Sequence, residues 1–219
     1  MSKAHLTLAS RNYGSWSLRG WLPVRLAKLE VEEVVIPLAG GKTPAVQAVT
    51  PGGTVPYLEH QGRKVWESLA ICEYCAEFAS GLWPADAGAR AHARSVASEM
   101  HAGFRELRMA MPMSLFLQAP DAGRTQGALS DIARIDALWR ETRAQFGAGG
   151  PYLFGATFGN ADAMYAPVVA RFLSYRPQLS AQAQAYCTAV RAHPLVSEWY
   201  DEASKEPASW RLAQYETVP

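Results

Sequence analysis

The sequence predicts two architectures in tandem: an α/β unit over residues 1–82 and an all-helical unit over residues 88–219. Strand and helix signals alternate up to residue 82. Nothing after Gly81-Leu82-Trp83-Pro84 resembles a strand, and Ala-rich stretches with helical spacing fill the remainder. A linker is expected near 82–88.

The elements follow in order. Ala4, Leu6 and Leu8 alternate with His5 and Thr7, which predicts a short half-buried strand. Leu18, Trp21, Leu22, Leu26 and Leu29 fall near one face of a helix that Pro23 is expected to kink. Val31 to Ile36 is rich in β-branched residues and reads as a second strand, stopped by Pro37. Gly40-Gly41 and Thr50-Pro51-Gly52-Gly53 are loop signals. Residues 55–59 and 64–66 read as a hairpin across Gln61-Gly62, and an apolar-periodic helix follows. This order suggests a right-handed βαβ crossover and then a hairpin. Beyond the linker, Ala87–Met111 reads as one helix closed by Pro112. Thr125–Phe146 reads as a second, ended by Gly147 and Gly149-Gly150-Pro151. Asp162–Leu173, Ser180–His193 and Leu195–Lys205 complete the set, with Pro194 as punctuation.

Bulk properties exclude several classes. A chain of 219 residues with 49% hydrophobic residues can bury a sizeable core. A formal charge of +1 gives no footprint for nucleic acid or an acidic membrane. No run of about 18 apolar residues occurs, so no membrane-spanning helix is expected. Met1-Ser2-Lys3-Ala4-His5 lacks the apolar stretch of a signal peptide, and three cysteines argue against a disulfide framework. The expectation is a soluble cytoplasmic protein with neither nucleic-acid nor membrane partners.

One constellation carries chemistry. Pro56 opens a strand, and if its peptide bond is cis, the Val55 backbone presents its N–H and C=O to an extended peptide. Glu67 and Ser68 flank a helix N-terminus, where N–H groups and the dipole attract a carboxylate. A strand edge beside an anion site suggests a pocket for a small acidic peptide. Cys72 and Cys75 have redox spacing but lie inside a helix, beside Ile71 and Phe78. They read as small buried apolar groups. No second Cys or His pair supports a metal site. Gly40-Gly41-Lys42-Thr43 lacks the upstream glycine of a phosphate loop. His101, among Met100, Phe104 and Leu107, reads as a packing or dimer contact.

At this point the chain resembles the glutathione transferases over nearly all its length. Thr50-Pro51-Gly52-Gly53-Thr54-Val55-Pro56-Tyr57-Leu58 resembles their Asn-Pro-x-Gly-x-Val-Pro-x-Leu segment. Trp66-Glu67-Ser68-Leu69-Ala70-Ile71 resembles their acidic-Ser-x-x-Ile signature. Tyr152-Leu153-Phe154-Gly155 and Gly159-Asn160-Ala161-Asp162 are similar to their helix-capping segment. The closest look is to bacterial Ser-type members allied to the zeta and tau classes, whose first helix opens Ser-Ser-x-Ser-x-Arg. This chain reads Asn12-Tyr13-Gly14-Ser15-Trp16-Ser17-Leu18-Arg19, with Gly14 where the activating serine falls by strict register and Ser15 next to it. Gly159 replaces the usual Ser or Thr cap, and Asp162 remains as an acceptor.

The resemblance implies a thioredoxin-like domain that binds glutathione as co-substrate, a helical-bundle domain that supplies an electrophile pocket, no metal, and a homodimer. Thiol activation falls to Ser15, with Asn12 and Ser17 as the other candidates; Ser15 also reads as a plain helix cap. Ser68 and Glu67 are expected at the γ-glutamyl end. Val55 and Pro56 are expected at the peptide backbone, with Lys42 and Thr54 as weaker contacts. Trp16, Met109, Met113, Phe116, Tyr165 and Trp210 are expected around the second substrate, although most of these fit an ordinary core equally well. The implied activity is conjugation of the glutathione thiolate to small electrophiles. The alternatives are a maleylacetoacetate-type isomerase, weakened by Ser15-Trp16 where Ser-Cys is expected, and a non-catalytic glutathione-binding protein.

Overall fold

The computed structural model describes residues 4–217. Residues 1–3, on which the absent-leader reading largely rests, and residues 218–219 lie outside the described residues. Strand β1 (His5–Ala9) runs parallel to β2 (Glu32–Ile36) and antiparallel to β3 (Tyr57–His60), which pairs antiparallel with β4 (Arg63–Trp66). The sheet order is therefore β2-β1-β3-β4. The central position of β1 explains one departure from expectation. Thr7 is as buried as Leu6 and Leu8, because elements cover both faces of the strand.

Helix α1 (Ser15–Leu26) makes the crossover and carries Pro23 in its last turn. It ends before Leu29. A short helix, α2 (Pro44–Val49), fills the segment read as loop; Pro44 occupies its first turn, where a missing N–H costs nothing. Gln61 and Gly62 both adopt positive φ, 52° and 75°, the conformation a two-residue hairpin turn demands. Helix α3 (Ser68–Ala76) then returns across the sheet beside α1. Gly20 of α1 lies flat on the loop before β3. A Cβ there would come within 2.4 Å of the Pro56 ring.

The second unit is helical throughout, as expected. The long first helix is broken in two, α4 (Ala87–Ala102) and α5 (Arg105–Ala110), because Phe104 turns left-handed at φ 57° after Gly103. Arg108 covers the exposed carbonyls at the end of α4. It donates to Met100 O, to Gly103 O at 3.1 Å and to His101 O at 3.3 Å. Helices α6 (Gln126–Phe146), α7 (Asn160–Tyr175), α8 (Ala181–Ala192) and α9 (Pro194–Ser204) follow, then the short α10 (Ala213–Glu216). Helix α7 is buried almost all round and packs on α1, α4 and α8. Around it, Trp139 meets Tyr165, Phe172 and Tyr186 edge to face.

Asp162 holds the start of α7. It accepts from Gly159 N and Leu153 N, both at 3.0 Å, and from the Tyr186 hydroxyl at 2.9 Å. Burial pushes its pKa up to about 6 against the opposing pull of these three donors. Among the described residues no helix is long and apolar enough to cross a membrane.

Candidate functional site

The Val55–Pro56 peptide bond is cis. Pro56 is buried under α1 and Val55 is partly exposed. Glu67, one strand away, takes positive φ (69°) immediately before α3, an unusual conformation for a non-glycine residue. The first intrahelical bond is Ile71 N to Glu67 O at 3.0 Å, so the N–H groups of the preceding turn point out of the helix. The Ser68 hydroxyl, however, is fully buried and faces the Met164 sulfur at 3.9 Å. Ser68 is thus enclosed as a whole residue, with its side chain turned inward, while Glu67 before it remains exposed. Thr54 and Lys42 are exposed, in the loops before β3 and α2.

Of the three hydroxyl and amide candidates for the thiol, one has no partner among the described residues. Ser17 is wholly buried and its Oγ accepts from Ala9 N at 2.8 Å, fastening α1 to β1. Asn12 is engaged at both ends of its amide. Oδ1 accepts from Leu115 N at 2.8 Å and Nδ2 donates to Glu216 at 3.3 Å. In both cases the group is already used by the fold. Ser15 stands first in α1, and it lines a cavity of about 700 Å³ closed by α5, Gly123–Thr125 and residues 214–217.

Met109 and Met113 line that cavity. Phe116 and Trp210 instead line a smaller space of about 220 Å³ on the far side of Tyr13. Tyr165 lies in the core, its hydroxyl donating to Val96 O at 3.2 Å, and lines neither of these two cavities. Trp16 connects the two ends of the site. The Arg108 and Arg19 guanidiniums sit 4.6 and 4.9 Å from its ring centroid, and His101 meets it at 5.4 Å. His101 in turn lies 3.8 Å from Glu67. Burial holds the His101 pKa below its usual value; Glu67 pulls it upward, and Arg19 and Arg108 push it down.

Several site residues escaped the sequence reading. Tyr13 lines both cavities and donates to Glu216, as does Ser114 at 3.5 Å, so residues 213–217 are tied over the mouth of α1. Arg108, Arg124 and Arg171 line the larger cavity. Cys72 and Cys75 are buried among apolar neighbours, and burial pushes both thiols up, Cys75 to about 12. No group of three or more candidate metal ligands occurs among the described residues.

The models of two family domains match this chain. One, "Glutathione S-transferase, N-terminal domain", covers residues 13–77, and its partner, "Glutathione S-transferase, C-terminal domain", covers residues 90–202, more than half of the chain. The chain belongs to the glutathione S-transferase family. No curated protein matches it. Among solved structures, a Burkholderia glutathione transferase homolog with bound glutathione superposes with a TM-score of 0.71. Identity is 18%, over 94% of this chain and 100% of that one. The theta class glutathione S-transferase of Xanthomonas axonopodis pv. citri, also with glutathione bound, gives 0.64 at 23% identity over 92% and 98%. A Tau class enzyme from mango gives 0.69 at 19% identity over 93% and 95%. At such identities the likeness concerns the fold. The glutathione S-transferase family thus accounts for the four-stranded unit followed by the helical one.

Proposed function

We propose that this protein is a glutathione transferase. The observation that carries the reading is the joint presence of the cis Val55–Pro56 bond, the Glu67 turn at the head of α3, and the unengaged Ser15 hydroxyl on the wall of a large cavity. Glutathione lies along Val55, its γ-glutamyl carboxylate on the N–H groups that open α3 and its ammonium toward Glu67, while Thr54 and Lys42 flank the glycyl end. The thiol then reaches Ser15, whose hydroxyl and helix N-terminus favour the thiolate. The thiol proton passes to solvent. The sulfur attacks the electrophilic carbon, forming a C–S bond as the leaving group departs with its electron pair. Orientation and anion stabilisation supply the rate enhancement.

The direct test is calorimetric titration with glutathione together with turnover of chlorodinitrobenzene. Binding with turnover supports the transferase. Binding with no turnover assigns a non-catalytic glutathione-binding role, and processing of maleylacetone assigns the isomerase. Absence of binding overturns the reading. We also propose a symmetric homodimer. Trp66 on β4 and Phe78 just beyond α3 are 45% and 41% exposed, and both offer apolar surface to a second copy.

A further inference from the structure

The cavity that Ser15 opens onto has an unusual charge arrangement. Arg108, Arg124 and Arg171 line it, and no Asp or Glu does. Arg171 is buried. Its Nε donates to Met111 O at 2.8 Å and its Nη1 to Pro167 O at 3.1 Å. The hydrogen bonds of Arg108 likewise go to backbone carbonyls. Arg19 lies behind them, fully buried. Its Nε donates to Met164 O at 2.7 Å and its Nη2 has no partner among the described residues.

Carbonyls satisfy N–H groups but do not neutralise charge. Burial of a guanidinium without a counter-ion is costly, and several together repel. Arg19 is held well below its usual pKa, by burial first and then by Arg108 and Arg171. Arg171 falls to about 10 through burial and then Arg108. No carboxylate pairs directly with Arg108 or Arg171 among the described residues: Asp131 accepts from Leu107 N and only draws the Arg108 pKa upward against burial, Asp121 pairs with the more exposed Arg124, and Glu216 is turned to Asn12, Tyr13 and Ser114. Met109, Met113, Pro112 and Leu38 supply apolar wall, Tyr215 adds an aromatic ring, and the other polar groups on the lining, Ser15, Thr125, Gln214 and Thr217, are uncharged.

We infer that the second substrate of this enzyme is an electrophile with an apolar body and a carboxylate, the carboxylate seated between Arg108 and Arg171 with Arg124 at the rim. This rests on the transferase reading above and names its substrate class. Arg108 Nη1 and Arg171 Nη2 take no partner among the described residues, and a planar carboxylate matches such forked donors. The reacting carbon lies toward Ser15, where the glutathione sulfur arrives.

The test compares two rings that differ by one group, chlorodinitrobenzene and chlorodinitrobenzoate, each corrected for its uncatalysed reaction with glutathione. In both, the C–S bond forms and chloride leaves. The expected result is a kcat/KM for the benzoate about tenfold or more above that for the neutral ring, the size of one charge-assisted contact. Arg108→Gln should remove most of this preference through KM for the benzoate. Arg124→Gln, at an exposed position, should lower it several-fold and keeps the test alive if Arg108→Gln does not fold. Equilibrium dialysis of dinitrobenzoate against dinitrobenzene, with no glutathione present, reads the same preference without turnover. Equal binding and equal turnover of the two rings overturn the inference and leave the transferase standing. A shift in the thiolate titration of bound glutathione in Arg108→Gln, with preference unaltered, also overturns it and gives the arginines to the sulfur. A protein that binds dinitrobenzoate preferentially but not glutathione overturns the transferase reading instead.

Discussion

Replacing Ser15 by alanine isolates the step on which the chemistry depends. The Ser15 hydroxyl has no hydrogen-bond partner among the described residues, so its loss breaks no contact of the folded chain. In the proposed complex it donates to a thiolate, and a hydrogen bond to a charged group contributes about 1.5–3 kcal/mol. At about 1.36 kcal/mol per pH unit, removing it raises the pKa of bound glutathione by roughly one to two pH units. The dipole of α1 stays in place, with no acidic residue in its first turn to offset it, so some depression of about 0.3–1 kcal/mol survives. The sign is fixed: the anion loses a donor, the thiol holds its proton to higher pH, and turnover near pH 6.5 falls by roughly tenfold or more. Ultraviolet absorbance of the thiolate against pH, at saturating glutathione, measures the shift directly. Calorimetry should show glutathione affinity nearly intact. A titration curve that superimposes on that of the parent protein refutes the reasoning. Asn12 and Ser17 offer no substitute, being engaged with Leu115, Glu216 and Ala9.

Three further outcomes can be checked. Asp162→Ala strands two backbone N–H groups and the Tyr186 hydroxyl, and at about 1–3 kcal/mol each the loss should reach several kcal/mol in urea unfolding. Asp162 also makes stability depend on pH. Its folded pKa is raised to about 6, so its contribution is full below about pH 4 and is lost as the pH climbs through 6, an upper bound of about 3 kcal/mol. Asp162→Asn should flatten that slope in denaturation curves taken between pH 4 and 7. Cys72→Ser should retain conjugating activity, since this thiol is enclosed and held protonated; loss of activity in a variant that folds normally would reinstate a redox role.

The sheet and hairpin were legible because their signals are local. Alternation, β-branching and the Gln61-Gly62 turn each act over a few residues. Helix α2 was hidden because six residues between two loop signals carry almost no periodicity; Pro44 was the available cue. The break at Phe104 was missed because Ala-rich flanks favour helix, and the left-handed turn is held by carbonyl contacts with Arg108. At the site, Val55, Pro56 and Glu67 stood out through residue type alone. Which hydroxyl is free did not, since Ser15 and Ser17 differ only in which neighbour reaches them. The arginine cluster joins positions far apart in the chain, and no local pattern announces it.

The contact between Gly20 and Pro56 sets a spacing. It fixes how far α1 stands from the loop before β3, the two elements that the proposed complex brings to the sulfur and to the peptide main chain, and no ligand atom need touch either residue for this to hold. A methyl group at position 20 would wedge the two apart. A bound tripeptide could then satisfy one end of the groove or the other, so a buried glycine remote from the chemistry governs whether nucleophile and scaffold meet in register.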